Sequence, residues 1–377
     1  MHRQTHALET FDDDAAFFGQ TELLVAVKSF DLAAIRKRYL ESRQRSKAGS
    51  VERRAPAPGG LVYMRIENGV MQQQEIVARF TEVRGVDFQQ PNIAVSSENK
   101  IYVFDSENAH PTRIRHPWLS YIHTVKLSSD NKKCLVSSSG LDSILEFELG
   151  SGDCLWHWLA WEHGLNQAEN PKTGETFLLT RDKDESQRLT KAGKKHQFIE
   201  DPGEQHLPTA QRAAFINSAE YTADGTVLAT LFHKGEVIEI EQRSGAFTTV
   251  LDGLSKPHGG MPYKSGYLVT NTGGGNVQMK TPDTHTVFDF TKLPGKAAAV
   301  KDLEWLQSSH IKRNTVVTID SNRTSFVFFD AEQKKRCMVA FDKNWAVQDF
   351  VFLTGDCQQN LATIKAWFKE NQSGEND

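Results

Sequence analysis

Ile122-His123-Thr124-Val125-Lys126-Leu127, a polar turn, and then Cys134-Leu135-Val136 is the stretch that decides the fold, because the chain repeats its pattern. A polar residue stands on a short apolar run, a turn follows, and a second apolar run resumes shortly after. Upstream, Pro91-Asn92-Ile93 leads in this way to Ile101-Tyr102-Val103. Downstream, Ile216-Asn217-Ser218 leads to Val227-Leu228-Ala229, Pro257-His258-Gly259 to Tyr267-Leu268-Val269, and Lys301-Asp302-Leu303 to Thr315-Val316-Val317. A weaker copy runs from Gln348-Asp349-Phe350 to Asn360-Leu361-Ala362. Units of a few short strands recurring at about forty residues predict a β-propeller.

Spacings between the leading residues are 31, 94, 41, 44 and 47. The long gap holds residues 165–210, which are rich in Lys, Asp, Glu, Gln and Pro and show little strand pattern. We read it as an insertion, a lid between the second and third units, and so expect an all-β, six-bladed propeller. The aromatic run Trp156-His157-Trp158-Leu159-Ala160-Trp161-Glu162-His163 precedes it, and His196 and His206 lie within it. The three tryptophans suit either a wall against a ligand or packing between blades; Trp158 and His163 are candidate substrate contacts.

Residues 1–58 read as an N-terminal appendage with a helix over 31–45, ended by Ala55-Pro56-Ala57-Pro58-Gly59-Gly60. The propeller is expected over 59–377. Glu67-Asn68-Gly69 between apolar runs marks a hairpin. That hairpin has no blade of its own and the sixth copy is short, so residues 61–80 are expected to supply the outer strands of the last blade and close the ring.

With 38% hydrophobic and 24% charged residues the chain is of ordinary soluble composition, and no run reaches the roughly 18 apolar residues of a membrane helix. The start of the chain lacks the apolar stretch of a secretion signal, so a cytoplasmic location is expected. A net charge of −4 argues against nucleic acid. Arg36, Lys37, Arg38, Arg43, Arg45 and Lys47 are the exception, read as a solvated helix face. Four separated cysteines, Cys134, Cys154, Cys337 and Cys357, form no metal or disulfide motif and read as free thiols.

Inner strands of a propeller run beside its axis, so the leading residues Asn92, His123, Asn217, His258, Asp302 and Asp349 are expected at one ring. Turns between second and third strands return to the same face and bring His233, Asn271 and Asn276 close. His123, His258 and His233 are the candidate catalytic groups, since imidazole titrates near neutrality; Asn92, Asn217 and Asp302 are candidate substrate contacts. His123 and His258 with nearby oxygens are also a candidate site for one divalent metal, the N/O mixture suiting zinc, manganese or iron better than calcium. Gly273-Gly274-Gly275 lacks the Lys-Ser/Thr of a P-loop and reads as a tight turn. No serine-hydrolase elbow, His-Glu-x-x-His or CxxC is present.

Ile122-His123-Thr124-Val125 with Ser139-Gly140-Leu141-Asp142-Ser143-Ile144-Leu145-Glu146-Phe147 and Cys154-Leu155-Trp156-His157-Trp158 resembles a blade of arylsulfotransferase-like propellers. Pro91-Asn92-Ile93 and Pro257-His258-Gly259-Gly260 resemble NHL repeats and the six-bladed lactonase and amidating-lyase propellers. The first resemblance implies a His two positions before Asn217 and an Arg in the next turn. Phe215 and Leu231-Phe232-His233 stand there instead, which disfavours sulfotransfer. The second, through lyases whose channel histidines bind zinc, implies a metal-assisted lyase or hydrolase acting on a small molecule. The rival expectation is a non-catalytic scaffold that holds a protein partner.

Overall fold

The computed structural model describes residues 3–42, 49–52, 55–205, 207–355 and 357–372. Arg43, Arg45, Lys47 and His206 therefore lie outside the described residues. The protein is all-β, built of six antiparallel four-stranded units and one small three-stranded sheet, with a parallel fifth strand added to two of the six. Sheet I begins with Val86–Gln89, sheet II with Ile122–Leu127, sheet III with Ile216–Tyr221, sheet IV with His258–Tyr263, sheet V with Leu306–Lys312 and sheet VI with Ala346–Phe352.

Neighbouring sheets are hydrogen-bonded in sequence order. Leu127 N–H donates to Asp87 Oδ2 (2.8 Å), Ala219 N–H to Thr124 Oγ1 (3.1 Å) and Gly260 N–H to Thr230 Oγ1 (3.0 Å). Thr270 and Ser309 hydroxyls meet at 2.7 Å, and Ser308 Oγ donates to the Gln348 carbonyl at 3.2 Å. Ser97 Oγ of sheet I donates to the Thr81 carbonyl of sheet VI at 3.0 Å, so the last sheet returns to the first.

Apolar packing follows the same circle. Leu24, Ala26 and Leu61 face Val86, Ile93 and Phe104, while Leu23, Val25 and Val62 on the opposite face meet Val317, Phe326 and Phe328. Burial on both faces is why Leu23-Leu24-Val25-Ala26-Val27 is apolar without alternation. Helix α1 (Leu32–Ser42) follows that strand, α2 (Lys183–Lys191) belongs to the insertion, and α3 (Gln358–Gln372) lays Leu361, Ile364 and Trp367 on the cluster between sheets VI and I. Asp182 caps α2, its carboxylate accepting from the N–H groups of Asp184 and Glu185.

The N-terminal segment is not an appendage. Arg3–Ala7 adds in parallel to the outer strand of sheet IV, Asp12–Asp13 adds to sheet V, and Gln20–Ser29 is the second strand of sheet VI, paired with Ala346–Phe352 on one side and Pro58–Glu67 on the other. Residues 61–80 do supply the outer strands of the last sheet, but through this intervening strand. The insertion also has more order than its composition suggested: Gln167–Glu169, Thr176–Thr180 and His196–Phe198 pair as the small sheet beside α2. All four cysteines are free thiols, three of them buried. Among the described residues no helix is long and apolar enough to cross a membrane.

Candidate functional site

The inner strands of sheets II to VI are bulged near their starts, while Val86–Gln89 of sheet I pairs without a shift. Pairing skips His123 in sheet II, Asn217 in sheet III and Gln348 in sheet VI, and shifts between Leu306 and Ser309 across Gln307. A bulge releases one residue from the ladder and re-aims its side chain. A second device recurs ahead of four inner strands, including the unbulged one of sheet I: Glu82, Tyr121, Phe215 and Lys256 all have φ near +50°, each two residues before Arg84, His123, Asn217 and His258. The chain turns sharply there, and the next side chains are delivered to the head of the axis.

Arg84, His123, His258, Gln307 and Gln348 thus line one cavity of about 140 Å³. Asn217 lies beside it, its Nδ2 donating to the Pro257 carbonyl at 2.7 Å and its buried Oδ1 without a partner. Helix α1 covers the opening with Ile35, Arg38 and Tyr39, helped by Gly49 and Ser50. Its seat is fixed by Arg36 Nη2 donating to the Ser321 carbonyl at 2.6 Å and by Tyr39 packed on Trp305, ring centroids 4.4 Å apart. Of the described residues of the insertion, Thr209 is the one that lines the cavity.

The two ring histidines differ. His123 Nδ1 lies 3.1 Å from the Tyr121 carbonyl and 2.6 Å from Ser139 Oγ, and Arg84 Nη1 donates to its Nε2 at 2.9 Å. A guanidinium only donates, so this imidazole is neutral with its proton on Nδ1. Burial, then the charges of Arg84, Lys28 and Arg212, hold its pKa well below the ordinary value. Arg84 is itself paired with Glu82 at 2.8 Å. His258 Nδ1 meets the Lys256 carbonyl (3.3 Å) and Thr272 Oγ1 (2.8 Å), which leaves Nε2 as an acceptor toward the cavity. Burial lowers its pKa to about 4; the Lys256 carbonyl acts against this, and Lys28 and Arg84 add to it.

Phe215 and Phe232 join these groups into one wall. The Phe215 ring lies edge-on to His123 at 5.2 Å, Phe232 edge-on to His258 at 5.4 Å, and the two phenyl rings are 4.7 Å apart. Arg212 stacks over Phe215 and Tyr121, 4.9 Å from each ring centroid. The returning loop is anchored by the buried Asp142 carboxylate, which accepts from the N–H groups of Ala213, Ala214 and Phe215 and from Trp161 Nε1.

Several expected site residues lie elsewhere. Asn92 is on the second strand of sheet I, bonded to Asn131, because the inner strand of that sheet is Val86–Gln89 and Arg84 holds the position assigned to Asn92. Asp302 is exposed in the loop before sheet V, where Gln307 takes its place. Asp349 follows the bulge and points to a lower level, where it accepts from His310 Nε2 at 2.8 Å beside a buried Lys126 bonded to Glu220 (3.2 Å). His233 borders a separate cleft under the insertion and bonds the Thr209 carbonyl at 2.9 Å. Trp158 is 1% exposed, stacked on His163 at 4.9 Å and donating to the Gly245 carbonyl, so both belong to the packing between sheets II and III. Trp156 likewise bonds the Gln242 carbonyl. Asn271 and Asn276 tie the turn at Gly275.

The donor set does not fit a divalent metal. His123 Nε2 is taken by Arg84, the lining contributes Lys28, Arg38 and Arg84 with no carboxylate, and among the described residues no group of three His, Cys, Asp or Glu side chains could hold an ion. Arg38 was named in sequence but read as part of a solvated helix face, whereas here it lines the cavity; Lys28, Arg84 and Arg212 were missed because they come from separate segments with no shared motif, and Arg84 sits outside the detected repeat.

No protein-family model matches the sequence, and no curated protein matches it. Among solved structures, a chain of the nidogen/laminin complex aligns with TM-score 0.53 at 11% identity, covering 90% of this chain and all of that one. A protein of unknown function from Bacteroides caccae aligns with TM-score 0.52 at 12% identity, covering 89% and 100%. A catalytically inactive virginiamycin B lyase from Staphylococcus aureus aligns less well, with TM-score 0.42 at 7% identity over 69% and 70%. At such identities likeness speaks for architecture alone, and the architecture is a β-propeller.

Proposed function

We propose that sheets I to VI are the blades of a six-bladed propeller and that the chain is a small-molecule enzyme of lyase or hydrolase type, acting in the cavity beneath α1. The observation that carries this reading is His258 Nε2, an acceptor with no partner among the described residues, on a residue lining a cavity with Lys28, Arg38 and Arg84. Cations favour an anionic substrate. Burial first, and then Lys28 and Arg84, hold the imidazole down; charge from that substrate offsets the two cations and so acts to raise the basicity of His258 where a general base is needed. His123, closed off by Arg84, acts in this scheme as a positioning residue for the guanidinium. The cap is α1 rather than the insertion. That none of the four cysteines is in a disulfide suits a reducing compartment such as the cytoplasm.

The test is turnover of an identified substrate by His258→Gln. We expect a loss of about 100-fold or more in kcat, the usual worth of a positioned acid or base, with substrate binding retained. Undiminished turnover would refute His258 as the general base, and the absence of turnover on any candidate substrate, with cavity substitutions silent, would leave the scaffold reading.

A further inference from the structure

Away from the cavity, and independently of how it is used, we infer that the outer edge of sheet I docks an acidic, extended segment of a partner protein as an added strand. Sheet I ends in Thr112–Arg115, which pairs on one side with Lys100–Asp105. Among the described residues no strand pairs with its other side. The unused N–H and C=O groups of such an edge are a template for a further strand.

The molecule itself supplies the template for what covers a basic edge. Sheet V also ends in a basic strand, Lys335–Ala340, and the chain covers it with Asp12–Asp13, running parallel to Lys335 and Arg336. Lys335 Nζ lies 3.4 Å from the Asp12 carboxylate and 3.3 Å from that of Asp14, and Arg336 Nη1 lies 3.1 Å from that of Asp13. Sheet I carries the same kind of charge without that cover. Arg113 and Arg115 are exposed and, two residues apart, share one face of its outer strand, with Lys100 directly across from Arg115. Arg113 rests on the rings of Tyr102 and Trp367, 5.8 Å from each centroid. Asp201 of the insertion is taken by Trp118 Nε1 and the Gly203 N–H. No carboxylate among the described residues is within ion-pair distance of Lys100, Arg113 or Arg115. The other open outer strands, Val70–Thr81, Cys154–Leu159 and Phe247–Leu251, hold among them a single Lys or Arg, Arg79. An added strand with Asp or Glu at alternate positions brings one carboxylate to each arginine. The same cations repel the equivalent edge of a second copy, so charge selects the occupant.

Fluorescence anisotropy of a dye-labelled Gly-Ser-Asp-Val-Asp-Val-Asp-Ser-Gly peptide with the full chain at low ionic strength tests this. We expect saturable binding, none when lysine replaces each aspartate, and slowed amide hydrogen exchange over Thr112–Arg115 in the complex. Arg115→Glu, at an exposed position, should keep the melting temperature and weaken binding about tenfold, through a lost ion pair and a new like-charge contact. Two further peptides, backbone N-methylated at the valines or at the aspartates, each lose the strand donors of one register while keeping the charge. One of the two should fail to bind the wild type. The absence of saturable binding, undiminished binding of both methylated peptides, or undiminished binding to Arg115→Glu overturns the inference. So does displacement of the peptide by phosphatidylserine vesicles that bind more tightly than it does, which would assign the edge to a membrane surface.

Discussion

His123 and His258 are the same residue type on equivalent bulged strands, yet a single neighbour gives them different chemistry. Arg84 fills the Nε2 lone pair of His123, and among the described residues none does so for His258. Replacing Arg84 with Met should therefore raise the His123 pKa, since it removes the largest charge acting on that ring; an NMR pH titration of the imidazole resonances reads this directly. Lys28→Met should raise the His258 pKa from about 4 in the same experiment. An unmoved titration in either variant would mean that burial alone sets these values. The histidines and Asn217 were legible in sequence because each stands on an apolar run that repeats. Asp349 was not: it lies one residue from Gln348, and in a strand an offset of one sends the side chain to a different level. The bulges and left-handed residues that fix this offset have no signature in residue type, since Glu82, Tyr121, Phe215 and Lys256 share none.

Elements foreign to the repeat do much of the work of shaping the cavity. Residues 3–29 were read as an appendage because their apolar run shows neither the spacing nor the turn of the other units. In the structure they complete three sheets and place Leu8 and Phe11 in the cluster between sheets IV and V. Deleting residues 1–14 should lower the melting temperature and promote association, because it bares the outer strands of two sheets; differential scanning calorimetry with size-exclusion chromatography reads both. Full stability of the truncated chain would show that these strands are dispensable. The loop that returns from the insertion depends on Asp142, and Asp142→Ala leaves three buried N–H groups without acceptors. Each such group costs about 1–3 kcal/mol, so denaturant unfolding should show a loss of roughly 3 kcal/mol or more.

Across the whole molecule, the two buried imidazoles couple stability to acidity. In the unfolded chain both titrate near 6.5, whereas the folded protein holds them lower, His258 at about 4. Above pH 6.5 neither state binds the protons and the contribution is complete. As pH falls below 6.5 the unfolded chain takes up protons that the native one refuses, and stability is lost progressively down to about pH 4 for His258. The loss attributable to His258 is on the order of 3 kcal/mol. Chemical denaturation of the wild type and His258→Gln between pH 4 and 8 isolates it: the variant should show the shallower slope, and parallel curves would refute the assignment. The propeller and its seam were readable from periodicity; the strand that joins the seam was not, because pairing between distant segments leaves no local trace.

That seam decides the order of events at the ribosome. Gln20–Ser29 emerges early, yet its partner on the axial side, Ala346–Phe352, is the last of the described strands to be made. At about 5–20 residues per second the early strand waits some tens of seconds, with Leu23-Leu24-Val25-Ala26-Val27 available to any holdase that grips extended apolar chain. Sheets II and III are contiguous in sequence and are free to assemble during that interval. A message cut short before codon 346 therefore yields a nascent product whose ring stays open, a substrate for quality control rather than a smaller propeller.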